Sequence, residues 1–488
     1  MPLRVCFIAS EVAPLAKTGG LADVAGALAK YLHTAGHDVR VFMPLYRQVE
    51  RRGLDVWPVE FLRDIPLQLG GHALRFDVLT ARLPGSQAMI YLIDAPALFD
   101  RDSIYSTAAD EHLRFILLTH AAFLSCQRMA FAPDILHCND WHTGFGPLLL
   151  RTVYAWDQLF GGTRSLMSIH NIAYQGVFSA QLRNDIGLGD AALLLDAVEL
   201  AAGRVNPLRE GITHAHHVST VSPTYAREIQ TAAYGYGLDP LLARRADALT
   251  GILNGVDYEE WDPRNDRFIT RHFSPERLEV KDELKQDFLQ RTGLATVARS
   301  RAPLLGMVSR LASQKGFDLV MAALPALLQR HDFSCAILGS GDVRYEAFFR
   351  ELAHLHPTRV NFRAGYSEEH AHWIEASSDV FLMPSQYEPC GLNQMYSLRY
   401  GTVPIVRRTG GLADSVQHFD PVTRQGTGVV FNDYDVGGLT WAIETALQWY
   451  AQKDTWRRLV QNAMVQDFSW QSQVAEYVML YERMLSAA

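Results

Sequence analysis

The segment Lys17-Thr18-Gly19-Gly20 couples a cation to two glycines. Glycine lets a backbone approach a ligand closely, and a lysine ammonium is a point charge suited to phosphate. The segment is not a Walker loop, because G-x-x-x-x-G-K-[ST] is absent. Its local chemistry fits a helix cap as well as a phosphate cradle. Two more cations, Arg310 and Lys315, stand in Val308-Ser309-Arg310-Leu311-Ala312-Ser313-Gln314-Lys315-Gly316, just after a run that reads as a buried strand. Ligands of open α/β sheets collect outside the carboxyl ends of strands, and two cations there suit a pyrophosphate. A solvated loop is the plain alternative.

Ser385-Gln386-Tyr387-Glu388-Pro389-Cys390-Gly391-Leu392 also follows a strand and precedes a helical pattern. An acidic group beside an anion-binding helix end suits a site where a cationic centre develops. A sugar leaving a nucleotide forms such an oxocarbenium-like centre. The plain alternative is a surface carboxylate in a proline turn. Two histidine segments, His137-Cys138-Asn139-Asp140-Trp141-His142 and Ser168-Ile169-His170-Asn171-Ile172-Ala173-Tyr174-Gln175-Gly176, each end a predicted strand. Their spacing fits no zinc pattern, so hydrogen bonding and sugar stacking are the expected roles, against the default of satisfied core histidines. Gly339-Ser340-Gly341 lacks the third glycine of a dinucleotide fingerprint, with Arg344 in its place. Asp100-Arg101-Asp102 and Asp433-Tyr434-Asp435 match the acid-x-acid motif of metal-dependent glycosyltransferases only as short chance patterns do.

These segments need a scaffold of alternating strands and helices. Residues 5–9, 39–43, 90–93, 135–137 and 165–169 read as strands in the first half, with a helix over 21–35. In the second half the strands are 304–308, 335–338, 360–362, 380–383 and 403–406, separated by helices over 316–329, 345–354 and 392–400. The alternation indicates parallel sheets covered on both faces, and about seven helix-separated strands in each half are too many for one compact sheet, which indicates two doubly wound domains. The boundary is expected between Gly255 and Ala302, where Asp262-Pro263-Arg264-Asn265-Asp266 is turn-rich, a charged helix spans 281–290, and Arg299-Ser300-Arg301-Ala302-Pro303 precedes a fresh strand. Thr18-Gly19-Gly20-Leu21-Ala22-Asp23 recurs as Thr409-Gly410-Gly411-Leu412-Ala413-Asp414. Either this is coincidence, or each domain carries a glycine turn at a helix start whose backbone N–H groups meet one anionic ligand in a crevice between domains.

The chain of 488 residues has a net charge of −8, which argues against a nucleic-acid-binding surface. Its five cysteines, Cys6, Cys126, Cys138, Cys335 and Cys390, are scattered and odd in number. A disulfide framework is not expected, and a reducing cytoplasm fits best. No apolar run is long enough for a secretory signal or a membrane span.

Taken together, the segments resemble bacterial glycogen synthases and plant starch synthases, retaining glucosyltransferases of the GT-B fold. The resemblance runs through Ser10-Glu11, residues 17–24, 139–142 and 170–176, Gly251-Ile252-Leu253-Asn254-Gly255-Val256-Asp257, and residues 309–316, 388–392 and 409–414. It implies two Rossmann-like domains facing across a deep cleft, over residues 1–255 and 256–470, with a helix in 471–488 packing back on the first. It implies transfer of glucose from ADP-glucose to the non-reducing 4-OH of an α-1,4-glucan, with retained configuration and no required metal or other cofactor.

The implied roles are specific. Lys17, Gly19 and Gly20 correspond to the loop for the donor's diphosphate and glucose, and Arg310 and Lys315 to the pair that neutralises the diphosphate. Glu388, Cys390, Gly391 and Leu392 correspond to the glucose- and phosphate-facing turn, and His170 and Asn254 to glucose contacts. Asp140 corresponds to an essential carboxylate on the opposite wall, with Glu11 and Trp141 on the acceptor side. One segment departs from the family pattern. After Leu98-Phe99-Asp100-Arg101 the family has a Pro/Gly stretch ending in Pro-Tyr, whereas this chain has Asp102-Ser103-Ile104-Tyr105-Ser106. Tyr105 is expected to fill the same place. The alternatives are a GT-B transferase using UDP-glucose or a small acceptor, and a non-catalytic glucan-binding scaffold. Oligomeric state stays open.

Overall fold

The computed structural model describes residues 2–50, 54–294 and 301–486. Arg299 and Ser300, expected to lead into the second domain, lie outside these. The chain forms two compact units. The first is Met1–Val221, Ala226–Gly255 and Trp470–Ala488; the second is Ser222–Tyr225 and Val256–Ser469.

The first unit is built on β1 (Arg4–Ile8), β2 (Asp38–Pro44), β3 (Trp57–Pro58), β4 (Ile65–Leu69), β5 (His72–Arg82) and β6 (Met89–Asp94). It continues through β7 (Ile135–Asn139), β8 (Arg164–Ile169), the short pair β9 (Phe178–Ser179) and β10 (Arg204–Val205), then β11 (His217–Thr220) and β12 (Leu249–Gly251). All but β9 and β10 join one ten-stranded sheet in the order β12-β11-β8-β7-β1-β2-β6-β5-β3, with β4 paired to β5. The strands from β12 to β6 run parallel, and β3, β4 and β5 are antiparallel. That antiparallel flap has no counterpart in the strands read from the sequence. In β5 the buried Phe76 and Val78 alternate with Arg75, Asp77 and Leu79, the pattern of a strand covered on one face.

The core strands follow from composition. Val5, Phe7 and Ile8 of β1 are fully buried, as a parallel strand with helices on both faces requires. The helix Gly20–Thr34 turns Leu21, Val24, Ala25, Leu28, Ala29 and Leu32 inward at helical spacing. The helix Trp470–Ser486 belongs to this unit. Its Tyr481 hydroxyl lies 2.8 Å from His137 Nδ1, and His137 Nε2 lies 2.6 Å from Ser168 Oγ. His137 is therefore a structural link between sheet and helix.

The second unit has β13 (Leu304–Val308), β14 (Ser334–Gly339), β15 (Val360–Ala364), β16 (Val380–Met383), β17 (Val403–Arg407) and β18 (Val429–Phe431). These form a parallel sheet of six strands, β15-β14-β13-β16-β17-β18. The charged helix Glu279–Thr292 packs into this unit, burying Val280, Leu284 and Phe288. Its Lys285 pairs with Asp379 at 2.6 Å, and Lys281 donates to the carbonyls of Glu375 and Ala376 and to Thr402 Oγ1. The strand counts are thus unequal, ten against six.

Each sheet reverses its winding once, between β1 and β7 in the first and between β13 and β16 in the second. Carboxyl ends at such reversals leave a crevice that neighbouring loops do not fill. Among the described residues, no helix is long and apolar enough to cross a membrane.

Candidate active site

In the first unit, the loops after β1 and β7 flank the reversal. Glu11 is buried, and its Oε2 accepts from Thr18 N at 2.5 Å and Thr18 Oγ1 at 2.8 Å. Burial raises its pKa, against the opposing pull of the Thr18 and Gly19 donors. The Thr18 N–H is thus turned in to Glu11. Lys17 Nζ pairs with Asp23 Oδ1 at 2.6 Å across the first turn of the helix. Gly19 caps that helix in extended conformation, and a Cβ on Gly20 would meet nothing within 4 Å.

Asp140 leaves β7 with φ +52°, in the left-handed region. The turn brings its Oδ1 to 2.7 Å from His170 N, at the end of β8. Burial pushes the Asp140 carboxyl up to about 7, although the His170 and Asn171 N–H groups favour its anion. The His170 ring is also buried, which pulls its pKa down to about 4. Its Nε2 lies 2.9 Å from Asn139 Oδ1.

Tyr105 places its hydroxyl 2.8 Å from Ser10 Oγ and stacks on His142, with ring centroids 4.8 Å apart. Trp141 packs against His142 at 4.0 Å and edge-on to Phe115. Ser10, Glu11, Tyr105, Asp140, Trp141, His142 and His170 therefore form one cluster. Asn254 is not joined to it. It is buried after the edge strand β12, with Oδ1 unpartnered and no hydrogen bond or ring contact to the others.

In the second unit, the loops after β13 and β16 flank the reversal. Lys315 Nζ lies 2.6 Å from Glu388 Oε2, and Ser385 Oγ donates to the same oxygen at 3.0 Å. Glu388 is buried, whereas Arg310 is exposed and makes no ion pair among the described residues. Cys390 is buried, and Gly391 and Leu392 lead into the short helix Asn393–Arg399. Gln394 Nε2 ties this turn down by donating to the carbonyls of Cys390 and Gly391 at 3.1 and 3.0 Å.

The repeated glycine turn closes on this segment. Gly411 N donates to the carbonyls of Glu388 and Pro389, both at 3.1 Å. A Cβ on Gly410 would sit 1.8 Å from Glu388 O, and one on Gly411 2.2 Å from Cys390 O. The second copy is thus a close-packing device, and its Gly411 N–H is not offered to an anion. Ser10, Asn139 and Ser385 stand inside the motifs above without a role of their own, and Gln394 lies outside those motifs. Only Ser385, a hydroxyl three residues before Glu388, carried a local signal.

The acid-x-acid pairs have other partners. Arg47 binds both Asp100 and Asp102, and Asp435 Oδ1 caps the helix Val436–Tyr450 at Gly438 N, 2.7 Å away. Among the described residues, no group of three or more His, Cys, Asp or Glu is arranged to hold a metal ion.

The chain thus has two Rossmann-like units, each with polar loops at its sheet reversal, and its relatives are glycosyltransferases of this fold. The family model for the starch synthase catalytic domain matches residues 4–244, and that for group 1 glycosyl transferases matches residues 295–464. The chain is 42% identical to a glycogen synthase of Koribacter versatilis, over 99% of this chain and 98% of that one. It is 44% identical to a glycogen synthase of Anaeromyxobacter dehalogenans, over 98% and 99% of the two chains. A structure of the catalytic domain of starch synthase IV from Arabidopsis thaliana, bound to ADP and acarbose, superposes with a TM-score of 0.91 at 34% identity, covering 100% of both chains. The chain belongs to the glycogen and starch synthase family.

Proposed function

We propose that the protein transfers glucose from ADP-glucose to the non-reducing 4-OH of an α-1,4-glucan with retention of configuration, in the cytoplasm and without a metal. The observation that carries this reading is the contact between Lys315 and Glu388 at adjacent strand ends. It sets a cation for a leaving diphosphate against a carboxylate for the sugar that leaves it.

We assign Arg310, Lys315 and Lys17 to the diphosphate, where fixed positive charge stabilises the leaving group as the bond breaks. These cations do the work a metal does elsewhere. Gly19 and Gly20 are assigned to the donor, with open space beside Gly20, and Cys390, Gly391 and Leu392 line its sugar and phosphate. His170 and Asn254 contact glucose. Asp140 serves the reacting hydroxyl, with Glu11, Tyr105 and Trp141 on the acceptor side. Glu388 is assigned to stabilising the sugar cation. An ammonium and a hydroxyl already occupy its Oε2, which weakens it as a nucleophile. Attack of the acceptor from the leaving-group side then retains configuration.

The test offers labelled ADP-glucose or UDP-glucose with glycogen, with and without a chelator. Label should enter from ADP-glucose, unaffected by chelation, into chains that β-amylase releases. Preference for UDP-glucose, dependence on divalent ion, or no incorporation would each overturn the corresponding part of the proposal.

A further inference from the structure

Asn139 closes β7 and is almost fully buried. Its amide makes two contacts of opposite sense. Nδ2 donates to the carbonyl of Ile8, the last residue of the neighbouring β1, at 3.0 Å, and Oδ1 lies 2.9 Å from His170 Nε2. A carbonyl only accepts, so Ile8 fixes which end of the amide carries the hydrogens. The oxygen left facing His170 must accept, so Nε2 carries the imidazole proton. Burial keeps the ring neutral, and a neutral ring has one proton. Nδ1 is therefore a bare acceptor.

We infer that Asn139 is a positioning residue: it locks His170 as the Nε2–H tautomer, so that Nδ1 accepts a hydrogen bond from a hydroxyl of the donor sugar. The inference rests on the sugar-contact role of His170 proposed above. It makes a chemical distinction that role alone does not. A ring protonated on Nδ1, or on both nitrogens, would present a donor and lose the bond. The chain geometry is built for this purpose at three points. β1, β7 and β8 are consecutive neighbours in the sheet, so Ile8, Asn139 and His170 sit at three adjacent strand ends. Asp140, next in sequence, takes the backbone N–H of His170 and fixes the ring's origin. The His137 and His142 rings, which feel His170 electrostatically, are buried and lowered in pKa like it, and the Asp140 carboxyl meets its backbone N–H.

Nitrogen NMR of the ring in the wild-type protein tests the tautomer without any assumption about the reaction. Nε2 should carry the proton at pH 7, and an Nδ1–H or doubly protonated ring would overturn the inference. Asn139→Leu removes the acceptor and should mix the tautomers. It should also raise the donor KM or lower kcat by about tenfold, the cost of one buried hydrogen bond, with glucan KM unchanged. Asn139→Asp keeps the shape and an acceptor for His170 but leaves Ile8 O without its donor, so the wild-type NMR is the measurement that stands whatever either variant does to folding. The introduced carboxylate favours the doubly protonated imidazolium, so activity should fall at low pH and partly recover as pH rises. A tautomer and donor kinetics unchanged in both variants would sink the inference. If the protein turned over no sugar nucleotide, the proposed function would fail, while the NMR would still decide whether Asn139 sets the ring.

Discussion

Lys315 Nζ meets Glu388 Oε2 at 2.6 Å, joining the loops after β13 and β16, strands paired side by side in the second sheet. The Glu388 side chain is 6% exposed and that of Lys315 20%. A charge this buried is costly to leave alone.

Lys315→Met should therefore destabilise the protein by about 1–3 kcal/mol, the cost of stranding a buried polar partner. Adding Glu388→Gln should recover part of that loss. Thermal melts of the single and double variants measure the coupling; additive losses would mean the pair contributes nothing. Both variants should lose transfer activity.

Asp140 and the buried histidines pull stability in opposite directions with pH. Asp140 is held up at about 7 by burial, so the native state keeps a proton that the unfolded chain sheds near pH ~3.9. Its contribution to stability falls as pH rises between those values. His120 and His170 are held down at about 4 and His137 at about 3, again by burial. Below about pH 6.5 the unfolded chain takes up protons that these native rings refuse, so their contribution falls as pH drops. Three groups outweigh one, and net acid destabilisation is expected. Asp140→Asn removes the opposing slope. Its advantage in urea unfolding should be larger at pH 8 than at pH 5, and an equal advantage at both would contradict the burial argument.

The two copies of the repeated turn should respond oppositely to alanine. Gly410 has φ +44° and no room for a Cβ, so Gly410→Ala must push the Glu388 backbone aside. A fall of several degrees in melting temperature and loss of activity are expected. Gly20→Ala stands at a helix start with open space around it and should leave the melting temperature unchanged or raise it slightly.

Tyr481→Phe deletes the hydroxyl that meets His137 Nδ1. A loss of about 1 kcal/mol in urea unfolding is expected, with donor and glucan KM values unchanged, because the bond secures a helix rather than a substrate.

The parallel strands were legible because residues buried on both faces must be apolar, and 304–308 and 380–383 match the structure end to end. The flap of β3, β4 and β5 was not, because half-exposed strands mix Arg75, Asp77 and Thr80 with apolar residues. At the site, residue types marked Lys17, Asp140, His170, Arg310, Lys315 and Glu388, since strand ends and charge can be read along a chain. What could not be read is where the polar hydrogens point. Thr18 N–H turns to Glu11 within its own loop and Gly411 N–H to Glu388 on another loop, and neither direction follows from residue type. The part played by Asn139 was hidden because its two partners, Ile8 and His170, stand at the ends of neighbouring strands.

The helix Trp470–Ser486 packs against the helix Gly20–Thr34 and the His137 ring, and Gly255 lies close against Trp470. On a ribosome, the first unit is thus begun at its first strand and finished only after all of the second has emerged. Until then the Tyr481 place beside His137 stands empty, and the early-made sheet must wait as an incomplete body. A nascent chain halted as residue 470 is reached would carry a complete second unit and an unfinished first, and proteases that sample loose structure would meet the older half of the polypeptide as the weaker one.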